Sequence, residues 1–154
     1  MENIHKYTTT VTWEKDRIGN LTSPTLPDMI VATPPEFPKG APNIWSPEHL
    51  FVASVNICLM TTFLAIAENS KFEFKSFKSE ATGKLEKVDG KFMISQIELK
   101  PTITIQDESK KEKAIRLIEK SEAACLISNS TKSKIILNPT INIEILKDLN
   151  YADF

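Results

Sequence analysis

The chain has 154 residues, 41% hydrophobic and 25% charged, with 19 Lys and Arg against 20 Asp and Glu for a net charge of −1. This is the composition of one ordinary globular domain, read as residues 1–154, large enough to bury about 70% of the surface its unfolded chain exposes without disulfide or metal staples. Near-neutral charge, with no basic run longer than Lys110-Lys111, removes the electrostatic footprint that phosphate backbones require, so no nucleic-acid partner is expected. The opening Met-Glu-Asn-Ile-His-Lys-Tyr-Thr has no basic stretch leading into an apolar one, so no secretory leader is read and a cytoplasmic location is expected.

In chain order, the first third alternates weakly and is punctuated by Gly19, Pro24 and Pro27, which predicts a β-meander with short strands at Tyr7 to Trp13 and Met29 to Thr33. Pro34 to Pro42, PPEFPKGAP, is a surface loop, because each proline lacks an N–H and restricts the residue before it. Ser46-Pro47-Glu48 then supplies an N-cap, a first helical residue and an acidic first turn, opening a helix from about Pro47 to Asn69. Its stretch Leu50 to Ala67 is eighteen residues without a charge, at the lower edge of a membrane-spanning length. Ser54, Asn56, Thr61 and Thr62 dilute that run and no interfacial anchors flank it, so the expectation is a central helix buried on every side, with a partner chain covering part of it and no membrane.

Phe72 to Val88 and Lys91 to Gln106 read as a β-hairpin turning at Asp89-Gly90. Phe72 and Phe74 fall out of phase with Phe77, Ala81 and Leu85, which predicts a bulge or bend, while Ile97, Leu99, Ile103 and Ile105 share one face. Ser109 to Glu112 has the form of a capping box, opening an amphipathic helix with Ala114, Leu117, Ile118, Ser121 and Cys125 on its apolar face. Ile135 to Leu146 is a last strand, interrupted at Asn138-Pro139 and therefore partly at an edge or bulge.

The two cysteines, Cys58 and Cys125, form no metal-ligand pattern, and no metal is expected; His5 and His49 are left without a role. Taken singly, each cysteine reads as a small apolar core residue, and a buried Cys125 thiol would have a raised pKa. Taken together, two cysteines on two helices that need the same core could come within disulfide reach, which is the arrangement of a redox pair. Both readings stand on these residues.

Ser46-Pro47-Glu48-His49-Leu50-Phe51, Cys58 ten residues after that glutamate, and Ala124-Cys125-Leu126-Ile127-Ser128-Asn129 together resemble the OsmC/Ohr family of thiol-dependent peroxidases. The likeness covers roughly Tyr7 to Ile145, and the spacing of the two cysteines is its specific part. It implies an α+β fold of antiparallel sheets around a long central helix, with a second amphipathic helix, assembled as an intertwined homodimer. It also implies an arginine in an early strand turn, for which Arg17 in Asp16-Arg17-Ile18-Gly19 is the matching residue. Leu126 stands where the family usually has proline, and Asn56-Ile57 stand where small residues are common, so the thiol surroundings are expected to differ in shape.

What the resemblance implies chemically is a peroxide-reducing cycle without a bound cofactor, in which Cys58 attacks an organic hydroperoxide and Cys125 resolves the sulfenic acid as a Cys58–Cys125 disulfide. An external dithiol, small or protein-bound, then restores the thiols. The depth of Cys58 in an apolar helix raises its pKa, so Arg17 is expected to compensate, held by Glu48, with Leu50 and Phe51 as apolar walls for the substrate. Ten residues of helix separate Glu48 from Cys58 by about 15 Å, which favours an antiparallel C2 dimer bringing Glu48 of one subunit to Cys58 of the other. The competing reading is a non-enzymatic dimer with an apolar pocket for a hydrophobic small molecule, its cysteines serving only as packing.

Overall fold

The structure is a computed structural model that describes residues 3–146. Residues 1–2 and 147–154, which the single-domain and leader readings also took in, lie outside the described residues. The chain divides into two compact units, Met1–Phe51 and Val52–Phe154.

The first unit is the expected meander: β1 (Thr10–Lys15), β2 (Ile18–Thr22) and β3 (Met29–Ala32), antiparallel in that order. β1 begins three residues later than Tyr7 and ends past Trp13, where its register against β2 shifts. Asp16, at a φ of 48°, makes the turn that carries Arg17, and the Trp13 indole N–H donates to the Asp16 carbonyl at 3.1 Å. In the proline loop, Gly40 sits so close to the chain that a Cβ there would lie 2.0 Å from the Pro34 carbonyl oxygen. This close approach is open only to glycine. The loop leads to Trp45, whose carbonyl accepts from the Ala32 N–H at 2.9 Å, and then to α1 (Pro47–Asn69), which begins and ends where its cap signals place it.

In the second unit, the stripe Val55, Cys58, Leu59, Phe63 and Ala67 of α1 is buried, the spacing of one helical face. Phe63 lies 5.2 Å, centroid to centroid, from both Phe74 and Phe77. The opposite side of α1 is not covered: Ile57 is 56% exposed, Met60 38% and Leu64 41%. Among the described residues of one chain the helix is therefore not buried on every side, and only one stripe of it is covered. The helix has the length and mean hydropathy, 2.1 over its most apolar window, to cross a membrane, and 22% of that window is buried within the chain.

β4 (Ser76–Val88) and β5 (Lys91–Ile105) form the long antiparallel hairpin. Asp89 and Gly90 both have positive φ, 51° and 76°, as the tight turn requires. Phe72 and Phe74 precede β4 instead of belonging to it, which accounts for their different phase, and the irregularity in the ladder lies between Lys84 and Leu85. Gly83 on β4 faces α1, where a Cβ would lie 2.5 Å from Val52 Cγ2.

The next helix starts differently from the capping box expected at Ser109. Asp107 Oδ1 accepts from the Ser109 N–H at 3.0 Å and its hydroxyl at 2.6 Å, capping a 3-10 turn (Glu108–Lys110) that runs into α2 (Lys111–Ala124). An aspartate two residues upstream captures the free N–H first. Ala114, Leu117, Ile118 and Ser121 are buried, whereas Cys125 lies just past the end of α2 and caps the short α3 (Leu126–Asn129).

β6 (Lys134–Leu137) and β7 (Thr140–Ile143) both pair with β5, and both are parallel to it. This sheet is therefore mixed where antiparallel sheets were expected, because α2 provides the crossover that a parallel return needs. The break at Asn138-Pro139 falls level with Lys100 and Pro101 of β5, so the proline of the central strand sits where the parallel ladder is already interrupted. Ile97, Leu99, Ile103 and Ile105 are fully buried beneath the helices.

Candidate active site

Both cysteines are buried and unpaired by a disulfide, and their side chains come close enough for each to act on the ionisation of the other. α1 presents Cys58 on the edge of its buried stripe, and the end of α2 delivers Cys125 to it. Because the chain leaves α2 at Cys125 and re-enters a helical turn at Leu126, the backbone N–H groups of Leu126 and Ile127 turn toward the same sulfur. The Thr62 hydroxyl, one turn along α1, lies 3.9 Å from Cys58 Sγ.

These contacts decide the electrostatics. Burial alone pushes the Cys58 thiol up, but the Cys125 thiol, the Ile127 N–H, the Thr62 hydroxyl and the Leu126 N–H together bring it below its ordinary value of 9.0. Cys125 moves the other way, raised by burial and by the Cys58 sulfur, against the Ser128 hydroxyl and N–H. The raised Cys125 thiol and the upward push of burial on Cys58 both agree with the reading from sequence, and at Cys58 the opposing groups within this unit are dipolar donors. Thr62, Ser128 and the two N–H groups are the site residues that sequence reasoning missed. Thr62 was legible as the residue four positions after Cys58, and Ser128 within the segment following Cys125.

The remaining candidates belong to the first unit. Arg17 is exposed in the β1–β2 turn, where its carbonyl accepts from the Thr33 N–H at 3.2 Å. Glu48 is half-buried, with Oε2 shielded from solvent and without a hydrogen-bond partner. Among the described residues no ion pair joins Arg17 to Glu48 within the chain. Leu50 is half-buried and Phe51 partly exposed. His49 is engaged locally: its N–H is capped by the buried Ser46 hydroxyl at 3.2 Å, and its Nδ1 lies 2.7 Å from the same oxygen.

The family model described as OsmC-like protein matches residues 40–140, about two-thirds of the chain and both cysteines. The chain belongs to the OsmC-like protein family. Among solved structures, an OsmC-like protein of unknown function from Vibrio cholerae superposes with a TM-score of 0.81 at 21% identity, covering 88% of this chain and 99% of that one. An organic hydroperoxide resistance protein from Elizabethkingia anophelis gives 0.74 at 22% identity, covering 94% and 100%. The organic hydroperoxide resistance protein OhrB of Bacillus subtilis gives 0.67 at 21% identity, covering 89% and 98%. At these identities the structural likeness establishes the OsmC-like fold. No curated protein matches the chain in sequence.

Proposed function

We propose that this OsmC-like protein is a thiol-dependent peroxidase that reduces organic hydroperoxides. The observation that carries the reading is the meeting of two buried, disulfide-free thiols from α1 and the end of α2, with the Cys58 thiol shifted down and the Cys125 thiol shifted up. That is the division of labour between an attacking and a resolving cysteine. Neighbouring folds that include organic hydroperoxide resistance proteins support the choice of substrate class.

In the proposed cycle the Cys58 thiolate attacks the peroxide oxygen distal to the organic group. The O–O bond breaks, one oxygen stays on sulfur as the sulfenic acid, and the alkoxide leaves as alcohol after taking a proton. Cys125 then attacks the Cys58 sulfur, releasing water and closing the Cys58–Cys125 disulfide. An external dithiol reduces that disulfide and is itself oxidised, so the turnover needs no bound cofactor. A cytoplasmic setting, where thiol reductants persist, suits such a cycle.

The roles of Arg17 and Glu48 follow the resemblance. Arg17 presents guanidinium N–H groups to the peroxide oxygens and Glu48 holds it, which would also satisfy the shielded Oε2. Leu50 and Phe51 supply apolar walls for the organic group. A homodimer is part of the proposal: the uncovered Ile57, Met60 and Leu64 on α1 are the apolar face that a second copy would bury.

The test is titration of free thiols before and after one equivalent of cumene hydroperoxide. Both thiols should disappear in the parent and none in Cys58→Ser, while Arg17→Ala and Glu48→Ala should slow the first turnover non-additively. Two thiols inert to hydroperoxide in the parent would replace this reading with the non-enzymatic binding module.

A further inference from the structure

We infer that Thr62 is a thiolate-holding residue of this site: its hydroxyl donates to the Cys58 sulfur and keeps that sulfur ionised for reaction. The inference deepens the peroxidase reading and rests on the same thiol pair.

Threonine inside a helix usually turns its hydroxyl back to the carbonyl three or four residues earlier, because that bond satisfies the polar atom without help from elsewhere. Thr61 does this, donating to the Cys58 carbonyl at 3.2 Å. Thr62, one residue later, directs its hydroxyl to the Cys58 side chain at a distance of 3.9 Å. Positions 58 and 62 are one turn apart and share a helix face, so the contact follows from helical geometry and not from a flexible excursion.

The direction of this hydrogen bond depends on the charge of the sulfur. A thiol can donate to the threonine oxygen or accept from it, but a thiolate can only accept. The contact therefore becomes a charge-assisted bond in the ionised form, in a half-buried position where such bonds are stronger than in water. Packing does not explain the hydroxyl, since valine has the same shape and lacks the donor. Cys125 is the titratable side chain facing the same sulfur, and its thiol together with the N–H groups of Leu126 and Ile127 supplies the other donors.

The experiment compares the parent with Thr62→Val, Thr62→Ala and Thr62→Ser by the pH dependence of iodoacetamide alkylation, followed at Cys58 by peptide mass mapping. Alkylation reads the thiolate fraction directly. At neutral pH, Thr62→Val and Thr62→Ala should react more slowly by about tenfold or more, the loss of one hydrogen bond to a charged group, and should converge on the parent rate at strongly alkaline pH. Thr62→Ser, which restores the donor, should follow the parent throughout. The inference is overturned if the valine and alanine profiles superimpose on the parent's, if they are slowed by one factor at every pH, or if serine fails to rescue. Thr62→Ala decides the matter should valine disturb folding. Because no peroxide is present, a parent protein inert to hydroperoxide would remove the peroxidase reading and leave this result to be judged separately.

Discussion

Replacing Cys125 by serine and by alanine separates its two roles, because both substitutions abolish the resolving thiol while only alanine removes the hydrogen bond to Cys58. The Cys125 thiol is among the groups that oppose burial at the Cys58 sulfur. A hydrogen bond to a charged group is worth about 1.5–3 kcal/mol, and each 1.36 kcal/mol is tenfold in the thiolate equilibrium. Cys125→Ala should therefore slow the first reaction of Cys58 with an organic hydroperoxide about tenfold or more at neutral pH, whereas Cys125→Ser should stay close to the parent. The sign follows from the direction of the shift. Losing a donor moves the Cys58 thiol up toward its ordinary 9.0, so the deficit should be largest below that pH and should close above it. Both variants should stall after one oxidation, as sulfenic acid or more highly oxidised sulfur. Single-turnover stopped-flow kinetics across pH, with dimedone trapping of the sulfenic acid, measures all of this. Equal first-turnover rates for serine, alanine and parent at every pH would refute the assignment of Cys125 as the donor that ionises Cys58.

Leu126→Pro should raise the Cys58 thiol and slow its alkylation at neutral pH, because proline fits the first residue of a helical turn but has no N–H to offer the sulfur. Leu126→Ala keeps the N–H and should behave like the parent; equal profiles for all three proteins would show that this N–H does not act. Gly83→Val should destabilise the fold by about 1–3 kcal/mol, since even its Cβ would stand 2.5 Å from Val52 Cγ2 and 3.3 Å from Ile94 Cγ2. Thermal unfolding reads that cost, and an unchanged midpoint would mean that α1 does not need its close approach to β4.

Some of this architecture was written locally. Ser46-Pro47 and the uncharged run behind it determined α1 from end to end, because capping and the absence of a breaker act within a few residues of where they are written. Asp89-Gly90 determined the hairpin for the same reason, both residues adopting the positive φ that the turn demands. Asn138-Pro139 determined where the last strand breaks. The direction of that strand was another matter: β6 and β7 run parallel to β5 because α2 intervenes, and no side chain in either strand encodes its partner's direction. Asp107 outcompeted Ser109 as a cap through loop geometry that a spacing rule does not carry. α1 is apolar on all sides, so its sequence holds no amphipathic signal to say which stripe meets the core and which stays uncovered. The spacing of Cys58 and Cys125 marked the thiol pair, but its ionisation was decided in three dimensions. Thr62 is placed by the helix it shares with Cys58, but the Cys125 thiol and the Leu126 and Ile127 N–H groups act on that sulfur from a segment far along the chain, and only tertiary packing brings them to it.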